Sequence, residues 1–134
     1  MTKRKKCVDC PSSSRSVAKY PGPRCATHHR ARRKATSERQ WAQRIEQTYG
    51  LTAEQYWQIY ESQGGKCYMC QRATGRTRRL AVDHDHATGY VRGLLCKRDN
   101  TLLGHARDNP EYFNRAISYL DSPPAQRMGI WAKP

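Results

Sequence analysis

The sequence predicts an α+β fold built from one β-hairpin and several helices, and held together by bound metal more than by an apolar core. Three observations predict it. Of 134 residues only 37% are hydrophobic, with a single Phe, and the mean hydropathy is -0.99; burial alone stabilises so small and polar a chain poorly. Six cysteines include two pairs, Cys7/Cys10 and Cys67/Cys70, with the two-residue spacing that suits one tetrahedral ion. Helix-period stretches surround one segment, LAVDHDHATGYVRGLLC, in which two short apolar runs flank a turn at Thr88-Gly89.

Residues 1–35 are expected to be a basic, loop-built zinc knuckle. They hold 11 of the 25 Lys and Arg and a Pro/Ser/Gly-rich middle without apolar period. Order there must come from Cys7, Cys10, Cys25 and His28 or His29, a C-x2-C-x14-C-x2-H set of zinc ligands. Residues 36–64 read as a helical arm. Ser37 with Gln40 resembles a capping box, Trp41, Ile45 and Tyr49 recur every four residues, and Gly50 is a stop; Thr52 with Gln55 then opens a second helix bearing Tyr56, Ile59 and Tyr60, ended by Gly64-Gly65.

Residues 65–121 contain the second cysteine pair, an Arg-rich link, the hairpin, and a helix expected to run from Cys96 to about Arg107. A metal held by Cys67, Cys70, Cys96 and Asp99 would clamp the base of the hairpin to that helix. Asp99 is a less common structural zinc ligand than cysteine, and the alternatives are a three-cysteine site completed by water or a nearby His, or a knuckle that has lost its metal. Asn109-Pro110 caps a last helix with the stripe Phe113, Ile117 and Leu120, and residues 122–134 form a tail, with Trp131 as its candidate anchor.

Charge narrows the function. Twenty-five Lys and Arg against eleven Asp and Glu give a net +14, the balance of a protein that meets nucleic-acid phosphates. Candidate phosphate contacts are Arg30, Arg32, Arg33 and Lys34 after the first knuckle, and Arg76, Arg78 and Arg79 before the hairpin. The basic start MTKRKKC lacks an apolar run and no stretch approaches the roughly 18 apolar residues of a membrane span. A cytoplasmic protein with reduced thiols, nucleic acid as partner and no membrane contact is therefore expected.

Asp83-His84-Asp85-His86 carries the chemistry. Alternate side chains of a strand face one side, so His84 and His86 are expected to share a face. Phosphodiester hydrolysis needs a base for water and a cation to stabilise charge on phosphate and leaving oxygen. A neutral imidazole suits the first role, and carboxylate or amide oxygens, from Asp83 and Asn100, suit a hard cation such as Mg²⁺. Arg92, in the second strand, meets either phosphate or a carboxylate such as Asp85. His105 lies five residues beyond Asn100, offset from its face.

The segments YGLTAEQYWQIYESQGGKCYMC, VDHDHATGYVRGLLCKRDN and LLGHARDNPEYFNRAISYL resemble the phage recombination endonuclease VII family, within the HNH or His-Me finger nucleases; GPRCATHHRARRK is similar to N-terminal segments of relatives. The resemblance covers roughly residues 49–120. It implies a zinc-stabilised ββα-metal core with flanking helices, in which His84 is general base, Asp83 and Asn100 hold catalytic Mg²⁺ or Mn²⁺, and His86 assists near the scissile phosphate. It also implies cleavage of DNA to 5′-phosphate and 3′-hydroxyl ends, a setting in the host cytoplasm, and room for other phage proteins as partners. Members usually carry cysteine where this chain has Asp99. The competing expectation is a zinc-knuckle DNA-binding or packaging adaptor that no longer cleaves, against which the intact Asp83, His84 and Asn100 set argues.

Overall fold

The computed structural model describes residues 5–18 and 22–132. In chain order it forms a 3-10 turn at Ser12–Ser14, helices α1 (Ala26–Tyr49) and α2 (Ala53–Ser62), strands β1 (Ala81–His84) and β2 (Val91–Leu95), then α3 (Lys97–His105), α4 (Pro110–Asp121) and the short α5 (Pro124–Arg127). The chain packs as two units, residues 1–56 and 57–134. The fold is thus mixed α and β, with a two-stranded antiparallel sheet.

In the first unit Lys6 and Val17 form an isolated antiparallel bridge, and Cys7 donates its backbone N–H to the carbonyl of Ser16 at 2.8 Å. This ties the knuckle loop back on itself. Helix α1 begins at Ala26, with Cys25 as N-cap, so it crosses the boundary expected at residue 35, and Ser37 lies inside it rather than at its start. The reason is that ATHHRARRKATSERQ has no apolar period yet contains Ala, Arg, Lys, Glu and Gln and neither Gly nor Pro. Intrinsic propensity extends the helix where amphipathic patterning gives no signal. Trp41 and Ile45 are its buried residues, and the Trp41 ring meets Tyr56 edge to face at 5.0 Å.

The stop and restart follow the sequence closely. Gly50 adopts φ 65 and donates its N–H to Glu46, the left-handed ending glycine permits. Thr52 and Gln55 form a reciprocal capping box: the Thr52 N–H donates to Gln55 Oε1 at 2.9 Å and the Gln55 N–H to Thr52 Oγ1 at 3.2 Å.

In the second unit the core is small: Cys67, Leu80, Val82, Leu94, Leu95 and Ala106 are its buried apolar residues. Strands β1 and β2 pair with Ala81 opposite Leu95, Val82 opposite Leu94 and Asp83 opposite Gly93, and then a bulge leaves Arg92 as the extra residue before His84 meets Val91. Gln63 completes the outer side of β2: its amide donates to the Leu94 carbonyl at 2.8 Å and accepts the Leu94 N–H at 2.8 Å. A Cβ on Gly93 would lie 2.8 Å from that pinned Gln63 oxygen. Gly93→Ala is therefore expected to destabilise the protein by about 1–3 kcal/mol in denaturant unfolding, and by clearly less when Gln63 is already Ala; equal costs in both backgrounds would refute the contact as cause.

Helix α3 packs on both strands. Helix α4 starts where Asn109 accepts the Glu111 N–H at 3.0 Å, with Pro110 at its first turn. Two expectations fail at this end. Within the stripe Phe113, Ile117 and Leu120, only Phe113 is half-buried, Ile117 being 57% and Leu120 75% exposed. Trp131 is 75% exposed and anchors no tail, because SPPAQRMGIW forms only one short helix and a turn and offers no surface to bury it. Among the described residues no helix is long and apolar enough to cross a membrane.

Candidate metal centres and hydrolytic site

Among the described residues two tetrads of donor atoms form, one per unit. Cys7, Cys10, Cys25 and His28 make the first, and Cys67, Cys70, Cys96 and Asp99 the second; within each, the four ligand atoms lie within 4.8 Å of one another. His28, and not His29, completes the first set. Both centres are built the same way. A C-x2-C turn supplies two donors, the N-cap cysteine of a helix supplies the third, and the residue three positions on, in that helix's first turn, supplies the fourth. Asp99 thus stands where His28 stands, and a carboxylate is favoured there by the partial positive charge at a helix N-terminus.

The spacing of the first set fits a central ion. His28 Nδ1 lies 3.4 Å from Cys7 Sγ, 3.4 Å from Cys10 Sγ and 3.2 Å from Cys25 Sγ, while the Cys10 and Cys25 sulfurs are 3.9 Å apart. One ring nitrogen cannot serve three sulfurs by hydrogen bonds, having one proton or one lone pair. Tetrahedral zinc with sulfur at about 2.3 Å and nitrogen at about 2.0 Å sets edges of roughly 3.5–3.8 Å, close to these separations. Burial pushes the Cys7 thiol up, but the backbone N–H groups around it bring it down to about 6, and the thiols beside His28 push its imidazole up. Such a cluster of ionisable thiols suits a divalent cation with nitrogen and sulfur affinity.

In the second set Asp99 Oδ2 accepts from the Cys67 thiol at 3.0 Å and from the Cys70 N–H at 3.2 Å. Burial, and then the Asp99 carboxylate, push the Cys67 thiol up to about 11, whereas the thiols hold the Asp99 carboxyl below its ordinary range. A thiolate beside a carboxylate is unfavourable without a cation between them, and a central Zn²⁺ reverses that sign. Both sets therefore fit structural metal, and zinc is the ion their soft donors favour.

The DHDH segment ends β1 and enters the turn. His84, the last residue of β1, is half-buried and His86, in the turn beyond it, is exposed; their rings lie 4.7 Å apart between centroids, so the turn, and not strand alternation, brings the pair together. Asp85 closes the turn, its Oδ1 accepting the N–H groups of Ala87 and Thr88, each at 2.8 Å; those bonds, Thr88 first, lower its carboxyl. Asn100 lies in the first turns of α3, half-buried. Asp83 and Asn100 present carboxylate and amide oxygens, the donor type a hard divalent cation takes.

Of the two partners expected for Arg92, phosphate or a nearby carboxylate, the structure shows the carboxylate. Arg92 pairs with Asp83 rather than Asp85: Nε lies 2.7 Å from Oδ2 and Nη2 2.9 Å from Oδ1. The same Nη2 also reaches Asp108 Oδ1 at 3.1 Å. The bulge is the cause, since the extra residue it inserts in β2 is Arg92 itself. The Asp83 and then Asp108 carboxylates raise the Arg92 guanidinium further above its ordinary value. Arg107 and Asp108 both adopt φ near +54, at 54 and 53, a conformation that costs roughly 1–3 kcal/mol per non-glycine residue where the surroundings impose it. Opposite charges on adjacent strands were the available signal for Arg92; nothing in the sequence marks Asp108.

Among the proposed phosphate contacts, Arg30, Arg32, Arg33 and Lys34 are exposed on α1, Arg76 and Arg78 are exposed before the hairpin, and Arg79 is half-buried. Arg32 and Arg33 join Arg24, His29, Ser37 and Gln40 around a groove of about 550 Å³. His105, at the end of α3, is exposed.

The family model described as recombination endonuclease VII matches residues 42–122. Gene 59 protein of Mycobacterium phage L5 is 60% identical over 130 residues, which span 94% of this chain and 79% of that protein. Gene 59 protein of Mycobacterium phage D29 is 59% identical over the same shares of each chain. With more than half of its residues matched by the family model, and both knuckles and the DHDH turn set on its helices and hairpin, the chain belongs to the recombination endonuclease VII family.

Proposed function

We propose that the protein is a zinc-stabilised, metal-dependent DNA endonuclease with a ββα-metal catalytic core of the His-Me finger type. The observation that supports this best is the paired His84 and His86 rings at the end of a strand, beside a β-β-α sequence whose base is drawn together by the second donor tetrad. His84 takes a proton from water as its oxygen bonds to phosphorus and the bond to the 3′ oxygen breaks; that oxygen takes a proton from solvent water, leaving a 5′-phosphate and a 3′-hydroxyl, and His84 returns its own to solvent. Asp83 and Asn100 would hold the divalent cation, Mg²⁺ or Mn²⁺, which would offset charge developing on the phosphate and the departing oxygen. His86 assists at the phosphate.

The arginines of α1 and of the segment before the hairpin grip the DNA backbone. Phosphate contacts of this kind bring no base selectivity and weaken steeply with salt. The test is incubation of the protein with supercoiled plasmid and, separately, a four-way junction, with and without Mg²⁺ or Mn²⁺. Metal-dependent nicking of either is the expected result, and preference for the junction would mark a resolvase. Binding of both substrates with cleavage of neither would replace this reading with a DNA-binding adaptor.

A further inference from the structure

We infer that Arg92 is a latch on the catalytic cation site: its guanidinium holds Asp83 until a divalent cation claims that carboxylate, and is then retained by Asp108. The inference rests on the assignment of Asp83 as a cation ligand given above. It starts from geometry. Both Asp83 oxygens accept from Arg92, at 2.7 and 2.9 Å, in the two-pronged arrangement that a guanidinium makes with a carboxylate and a lysine cannot. Asp83 is itself only 7% exposed, so few directions remain from which a cation can reach its oxygens.

The second acceptor makes the arrangement a device with two positions. Asp108 already contacts Nη2 at 3.1 Å, and the chain adopts two successive left-handed non-glycine residues, Arg107 and Asp108, where it delivers that carboxylate. Asp83, Arg92 and Asp108 border one open cavity of about 360 Å³, lined also by Leu103, Phe113 and Asn114. The guanidinium therefore has room to leave Asp83 without leaving a carboxylate. A bulge at Arg92 interrupts the strand pairing at this point and leaves its backbone outside the ladder, the kind of irregularity that re-aims a side chain.

An arginine held this way sets the cation affinity. Arg92 makes the site accept a divalent ion only at a concentration that displaces the guanidinium toward Asp108. The test uses the zinc-loaded full chain without DNA and reads Mg²⁺ and Mn²⁺ binding by calorimetry, the relevant component being the one lost in Asp83→Asn. Arg92→Lys keeps the charge and removes the fork, and is expected to tighten that component about tenfold. In the unmodified protein, Mg²⁺ is expected to shift the Arg92 Nε–H resonance at the same midpoint.

Unchanged affinity in Arg92→Lys, or an Arg92 resonance that ignores Mg²⁺ while the component is present, would overturn the latch and leave Asp83 as ligand. Absence of any component sensitive to Asp83→Asn would overturn both the latch and the assignment on which it rests. Retained zinc and an unchanged circular dichroism spectrum in each variant separate these outcomes from misfolding.

Discussion

Asp99→Ala is expected to lower the zinc content from two ions per chain to one and to unfold residues 57–134, whereas Asp99→Cys keeps both ions and the fold. The size of the effect follows from how little else holds this unit. Its buried apolar set is Leu80, Val82, Leu94, Leu95 and Ala106 together with Cys67, and α4 adds no buried residue. Structural zinc contributes about 10–16 kcal/mol in small metallo-domains, against a net stability of about 5–15 kcal/mol for a whole domain. Weakening that term exceeds any single packing change in the hairpin. Alanine removes one of four donors and also the acceptor for Cys67 and the Cys70 N–H; cysteine restores a donor of the kind zinc prefers.

The measurement is elemental analysis after exhaustive dialysis, with amide chemical-shift dispersion for the state of each unit. Cys7→Ser serves as the counterpart, since it should lose the other ion and disturb residues 5–56 instead. Two ions retained in Asp99→Ala, with the hairpin intact, would exclude the carboxylate as a ligand and leave a three-cysteine centre completed by another group.

The parts of this fold that were legible in the sequence are those where a local rule has one solution. Thr52 with Gln55, Gly50 and Asn109-Pro110 each mark a helix end by a hydrogen bond or a backbone angle that few residues supply, and two apolar runs around Thr88-Gly89 leave little but a hairpin. The cysteine spacing was equally readable, because a C-x2-C turn and a ligand pair three residues apart on a helix are short-range geometry. The start of α1 was not, since its first ten residues bury almost nothing, Cys25 at the N-cap makes no side-chain capping bond, and their helicity comes from propensity. The contact of Arg92 with Asp108 was hidden for another reason. It depends on two left-handed residues after α3, which leave no mark in hydrophobic pattern.

His84→Ala is expected to lower the cleavage rate by about 10²–10⁴-fold, the usual span for loss of a general base, while DNA affinity and zinc content stay unchanged. Affinity should survive because the basic residues assigned to DNA are others, on α1 and at Arg76, Arg78 and Arg79, and one imidazole adds little to a backbone grip. The fold should survive because His84 is half-buried at the end of β1, beyond the Val82 and Leu94 pair that carries the hairpin core. His86→Ala should cost less, since its exposed ring sits in the turn beyond the strand and acts only beside His84. Single-turnover cleavage of a labelled junction or nicked duplex, at saturating protein, isolates the chemical step from binding. A His84→Ala protein that cuts at the normal rate would remove the imidazole from the reaction, and a larger defect in His86→Ala than in His84→Ala would exchange their roles, because the face they share allows either ring to reach water first.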